Sequence, residues 1–147
     1  KDDMADCEAC EASGEIAYLN FAGEHEAALG LAEPIVHNDL IERDFGIMTG
    51  KPVADIEEIC APDIIKAENV TYFLHPDGAE TFPELLARGQ RVLDFMTRQH
   101  PDQTVLLACH GDIGKMIYAA ATSTPWRQVL TDFYFGNTDI VGPVDVS

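Results

Sequence analysis

Basic residues are what this chain has least of. Nine Lys and Arg stand against 26 Asp and Glu, a net charge of −17, and the stretch 2–42 contains no Lys or Arg at all. Such a surface repels phosphate backbones and anionic lipid heads, which argues against nucleic-acid and membrane partners. A small anionic substrate needs a local basic pocket here, and residues 2–42 cannot supply one. Long apolar runs are also missing. Val105-Leu106-Leu107-Ala108 is far too short to span a bilayer, and no charged-then-apolar opening resembles a signal peptide. Four cysteines, Cys7, Cys10, Cys60 and Cys109, are too few for a disulfide scaffold and suit a reducing, cytoplasmic setting. The chain opens on Lys1 rather than Met, so its natural start is expected upstream.

What is present suffices for one domain. With 147 residues, 46% of them hydrophobic, the chain can bury roughly two-thirds of its unfolded surface around a single core. No repeat or linker divides it. Residues 2–13 read as a short polar helix stopped by Gly14, 15–21 as a strand, 22–31 as an Ala/Glu-rich helix and 34–36 as a short strand. Residues 39–46 read as a loop. Pro52 suits a first helical turn, with Val53, Ile56, Ile59 and Cys60 following at helical spacing. The stretch 61–78, punctuated by Pro62, Pro76 and Gly78, reads as an irregular insertion around Tyr72-Phe73-Leu74.

The strongest signals come later. Thr81-x-x-Glu84 is a capping box, and it opens a helix over 82–99. Phe82, Leu85, Leu86, Val92, Leu93 and Met96 form its apolar stripe, with Arg88, Arg91, Asp94 and Arg98 mostly off it. The apolar run 104–108 predicts a buried parallel strand in the middle of a sheet. A second helix, 112–121, carries Ile113, Met116, Ile117 and Ala120. This helix–strand–helix run implies a layered α/β fold. A short helix and an edge strand are expected between Trp126 and Ile140.

Ligands of open parallel sheets collect at the carboxyl ends of strands, where Cys109-His110-Gly111-Asp112 stands. The first amides of the following helix, those of Gly111, Asp112 and Ile113, are expected to form an anion site beside His110. The plainer alternative is a packed strand-end histidine. Glu42, flanked by Leu40, Ile41 and Phe45, is a candidate general acid, since partial desolvation raises a carboxyl pKa. Its plainer alternative is an exposed loop carboxylate paired with Arg43. A separate possibility is a metal or redox module on Cys7-x-x-Cys10 with His25 and His37, although the histidines lack a short ligand interval. Two helix-face cysteines one turn apart explain that pair more simply.

Four segments resemble one family. Leu40-Ile41-Glu42-Arg43-Asp44-Phe45-Gly46 followed by Gly50 is similar to the histidine-phosphatase signature Leu-x-Glu-Arg-x-Phe/Tyr-Gly-x-x-x-Gly. Gly78-Ala79-Glu80-Thr81-Phe82, with Arg88 in the next helix, resembles that family's Gly-Glu-Ser segment. The strand ending in Cys109-His110-Gly111 resembles Val-x-x-Ser-His-Gly. Phe135-Gly136-Asn137-Thr138-Asp139-Ile140 resembles the closing Asn-x-x-Ile strand. The match runs from Leu29 to Ile140.

The resemblance implies a three-layer α/β sandwich with a mostly parallel central sheet, phosphoglycerate mutase-like, without its first strand. It implies phosphoryl transfer or hydrolysis on small phosphomonoesters through a phosphohistidine. Glu42 becomes the proton donor to the leaving group, and His110 the second pocket histidine on the phosphoryl group. Arg43, Glu80, Thr81, Gly111 and Asp112 become substrate-side residues, with Glu80 and Thr81 lining the rim or capping the helix. No cofactor or metal is implied; the expected partner is a small phosphorylated molecule or phosphate ion. The family also needs an Arg-His-Gly carrying the nucleophile and a second arginine after the second strand. No Arg-His-Gly occurs in the 147 residues, and 22–31 holds no base. His25 stands between Glu24 and Glu26, a poor setting for a phosphate nucleophile. The expectation is therefore an impaired chain: truncated, split from a second polypeptide, or degenerate and serving as a binding module. A face left open by the absent strand would invite a homodimer.

Overall fold

The computed structural model describes residues 16–19, 35–134, 136, 139, 141–142 and 144–146. Strand β1 (Ile16–Leu19) lies between β2 (Ile35–Val36) and β5 (Val105–Ala108), parallel to both. Its register pairs Ile16 with Val105 and Leu19 with Ala108 on one side, and Leu19 with Val36 on the other. The expected strand after the long helix is therefore present, and it is parallel to its described neighbour β1. Among the described residues β1 is the middle strand and β5 pairs on one side. Its Val105, Leu106 and Leu107 are half-buried; Ala108 is buried. The helices expected at 2–13 and 22–31 fall outside the described residues, as do Cys7, Cys10 and His25.

Between β2 and the long helix come 3-10 turns at Asn38–Leu40, Gly46–Met48 and Val53–Asp55, then a short helix α1 (Ile56–Cys60). Only half of the expected stripe is buried there: Ile56 and Cys60 face a small cluster with Met48 and Phe73, while Val53 is 75% and Ile59 41% exposed. The tighter turn over Val53–Asp55 breaks the spacing that a continuous helix would give. The stretch expected to be irregular holds an antiparallel hairpin, β3 (Ile64–Lys66) and β4 (Thr71–Phe73). Tyr72 and Phe73 sit on opposite faces of β4 and enter the two different clusters, which is why no single-face pattern marks the strand.

A clasp closes this excursion. Gly46 adopts φ +56°, and a Cβ there would collide with Asp77 O and Ala79 N. The close approach lets Ile47 N donate to Asp77 O at 2.9 Å and Glu80 N to Asp44 O at 2.8 Å.

Helix α2 (Phe82–Gln99) begins where the capping box places it. Thr81 Oγ1 accepts from Glu84 N at 3.3 Å, and Glu84 Oε1 accepts from Thr81 N at 3.0 Å. Those bonds from Thr81 hold the Glu84 carboxyl below its usual range. Phe82, Leu85, Val92 and Met96 are buried as expected, but so is Arg88. Helix α3 (Gly111–Thr122) packs along α2, and α4 (Trp126–Asp132) closes the group. The core gathers Leu40, Tyr72, Phe82, Leu85, Ile113 and Met116. The edge strand expected near Gly136 falls on residues described only in part. No helix among the described residues is long and apolar enough to cross a membrane.

Candidate active site

The start of α3 is where the singled-out residues meet. His110 is the N-cap, extended at φ −102° and ψ 171°, and its side chain makes no cap bond. The cap is delivered from far away in sequence. Glu42 Oε2 accepts from Asp112 N at 3.1 Å, Oε1 accepts from Ile113 N at 3.1 Å, and Oε1 also accepts from Arg43 N at 2.8 Å. Two of the three amides expected to form an anion site are thus held by an internal carboxylate. The reason is elementary: unpaired amides at the positive end of a helix favour an anion, and Glu42 is the anion within reach. Glu42 and His110 are both half-buried at this helix end. Gly111 stands beside both Lys115 and Glu42: a Cβ there would lie in ordinary contact, 3.5 Å from Lys115 Nζ and 4.0 Å from Glu42 Oε2.

The remaining candidates divide. Arg43 is buried; Nε donates to Glu80 O at 2.6 Å and Nη2 to Leu74 O at 3.4 Å. Its guanidinium carbon lies 4.1 Å from the Phe82 ring centroid and 4.7 Å from that of Phe73. Nη1 faces the site, 3.8 Å from Asp112 Oδ2. Glu80 and Thr81 are committed to structure: Glu80 is clamped by Arg88 at 2.7 and 3.0 Å, and Thr81 caps α2. His37 accepts from Asp39 N through Nδ1 and sets its ring edge-on to Phe95. No group of three potential metal ligands occurs among the described residues. Open grooves along α2 and α3, one lined by Leu86, Gln90 and Trp126, contain none of the site residues.

One side chain escaped the sequence reading. Lys115 is buried at 4% exposure, with Nζ 5.5 Å from the ring centroids of Tyr72 and Tyr134. The signal was available: Lys115 is the one base in 111–122, four residues after Gly111 and next to the buried Met116.

The histidine phosphatase superfamily (branch 1) pattern matches residues 20–141. This chain belongs to that superfamily. Among solved structures it is similar to Bacillus stearothermophilus YhfR, with 23% identity, a TM-score of 0.64, and coverage of 93% of this chain and 71% of that one. It is similar to the mycobacterial protein named hydrolase 1, at 18% identity, TM-score 0.65, and 87% and 68% coverage. The mycobacterial glucosyl-3-phosphoglycerate phosphatase Rv2419c, solved both alone and with VO3, matches at 17% identity and TM-score 0.55, over 86% of this chain and 68% of that one. These likenesses show a shared fold. No curated protein matches the chain.

In this histidine-phosphatase chain the electrostatics concentrate on Asp112. Burial pushes its carboxyl up, the Glu42 carboxylate adds to the rise, and Arg43 and Lys115 oppose it, leaving a value of about 6 against 3.8. A folded-state pKa above the unfolded one means that the folded protein binds the extra proton. Stability from this group is full below about pH 4 and falls as pH rises towards 6, by roughly 2–3 kcal/mol at 1.36 kcal/mol per unit. Asp112→Asn is expected to flatten that decline in urea midpoints measured from pH 4 to 7. A variant with the wild-type slope would contradict it. Burial, with Glu42 adding, also pushes the Cys109 thiol up to about 12. Cys109 therefore stays neutral and is no thiolate nucleophile.

Proposed function

We propose that the start of α3 binds the phosphoryl group of a small phosphomonoester. The observation that carries this is Glu42: an internal carboxylate seated on the Asp112 and Ile113 amides marks the place as one that accepts an anion. Superfamily membership supports the ligand class. In this reading His110 donates to the phosphoryl oxygens, and Gly111 lets them approach the backbone. A phosphoryl group taking over the two amides leaves Glu42 without those donors and beside a second anion. In this reading Glu42 then stands beside the leaving oxygen, in the position of a proton donor.

The fold in this reading is the three-layer sandwich of the superfamily, formed by a single domain. The 147 residues contain no Arg-His-Gly, so binding rather than turnover is the activity proposed for them. The test is a titration with inorganic phosphate at pH 6, followed by amide chemical shifts. Gly111, Asp112 and Ile113 are expected to move together, and His110→Ala to weaken binding about tenfold, the value of one charge-assisted hydrogen bond. Shifts confined to another face would overturn the assignment.

A further inference from the structure

A phosphoryl group carries one to two negative charges near neutral pH, and the chain is strongly acidic overall, so neutralising charge has to come from particular side chains. Among the described residues the buried polar side chains are Arg43, Arg88 and Lys115. Arg88 is spent: it holds both Glu80 oxygens and the carbonyls of Asp39 and Ile41. The other two converge on the first turn of α3, Arg43 through Nη1 at Asp112 and Lys115 through Nζ beside Gly111. Between them lies an aromatic pair, Tyr72 and Phe82, with ring centroids 5.8 Å apart. Phe82 carries the Arg43 guanidinium, and the Tyr72 ring faces the Lys115 ammonium.

Two polar atoms of this cluster are buried without a hydrogen-bond partner: Arg43 Nη1 and the Tyr72 hydroxyl. An unmet buried donor costs about 1–3 kcal/mol, more when charged. Both donors stand near Asp112 at the start of α3: Nη1 lies 3.8 Å from its Oδ2, and the same carboxylate interacts with the Tyr72 phenol and with Lys115.

We infer that Arg43 Nη1, Lys115 Nζ and the Tyr72 hydroxyl form an oxyanion subsite that takes the phosphoryl oxygens, with Lys115 supplying the charge that the absent pocket arginines would otherwise bring. The inference rests on the phosphoryl-site reading above and names the side chains that do the binding. Asp112 balances these cations while the subsite is empty. Burial pushes the Tyr72 phenol up from 10, which keeps its proton available for donation.

Calorimetric titration with inorganic phosphate at pH 6 tests it, using wild type, Lys115→Met, Lys115→Arg, Tyr72→Phe and His110→Ala. Lys115→Met is expected to weaken binding about ten- to a hundredfold. Lys115→Arg should recover most of that loss, which a lysine needed only for packing would not require. Tyr72→Phe should cost a few-fold. If wild type binds and His110→Ala weakens it, while Lys115→Met and Tyr72→Phe bind as wild type, the subsite is wrong and the site reading stands. If wild type does not bind phosphate, the site reading fails and this inference falls with it. Should Lys115→Met not fold, Tyr72→Phe decides, because it removes one oxygen and keeps the ring.

Discussion

Given an aryl phosphate, the 147-residue chain is expected to release phosphate at least about 10⁴-fold more slowly than an intact histidine phosphatase. Losing one preorganised oxyanion donor typically costs about 10²–10³ in rate, and residues 2–42 hold no Lys or Arg to act as one. The 147 residues also contain no Arg-His-Gly to supply the nucleophile of a phosphohistidine route. Groups that act as a unit leave only residual catalysis when several are gone. Arg43 and Lys115 do not reverse this expectation. They bring charge to the helix end, and charge without a nucleophile binds an ester but does not cleave it. A discontinuous phosphate-release assay with wild type and His110→Ala settles the matter. Fast release abolished by His110→Ala would mean that a nucleophile stands among these residues, with His25 the first to test.

Replacing Arg88 by Met is expected to cost about 3–5 kcal/mol of stability, the usual price of breaking a buried ion pair from one side. The guanidinium is 8% exposed and its Glu80 partner 20%, so solvent screens the pair weakly. Methionine fills the volume of the stem. It leaves the Glu80 carboxylate unpaired and strips two carbonyls, Asp39 O at 2.8 Å and Ile41 O at 2.6 Å, of their donor. The expected fall in melting temperature is about 10–15 °C for a chain of this size. Adding Glu80→Gln should return part of the loss, because it removes the stranded charge. Arg88→Lys should recover less than half, since one ammonium cannot span a carboxylate and two carbonyls. A melting point within a degree or two of wild type would contradict the role given to this residue. The effect reaches the site, because Asp39 and Ile41 belong to the segment that presents Glu42.

What the sequence shows clearly is what local chemistry decides. The capping box at Thr81 and Glu84 announces α2 to the residue, because each partner lies within one turn of the other. The apolar run before His110 announces a parallel strand for similar reasons. Its neighbour in the sheet was not legible: apolar composition says that a strand is covered, not which strand pairs with it. Arg88 was misplaced by charge. Leu85, Arg88 and Val92 share one helical face by spacing, and an arginine there needs partners that only the folded chain brings. Glu42 shows the same limit most sharply. Its motif marked the residue, but two of the amides it holds, those of Asp112 and Ile113, lie 70 and 71 positions away. Tyr72 and Phe73 hid the hairpin because each belongs to a different cluster.

The clasp at Gly46 has an engineering consequence. Because the chain is fastened between 44–47 and 77–80, everything from Met48 to Pro76 is a cassette whose two ends meet at one hinge plate. Its outer end, between Lys66 and Thr71, carries exposed Glu68 and Asn69 and sits beyond the Ala67 N to Val70 O bond. A graft or a proteolytic cut there leaves both stumps anchored, so the tip is the natural place to hang a tag, a crosslinker or a fluorophore. The neighbouring side chains Tyr72, Phe73 and Leu74 are the roots of that cassette, and they set how far inward such surgery can go.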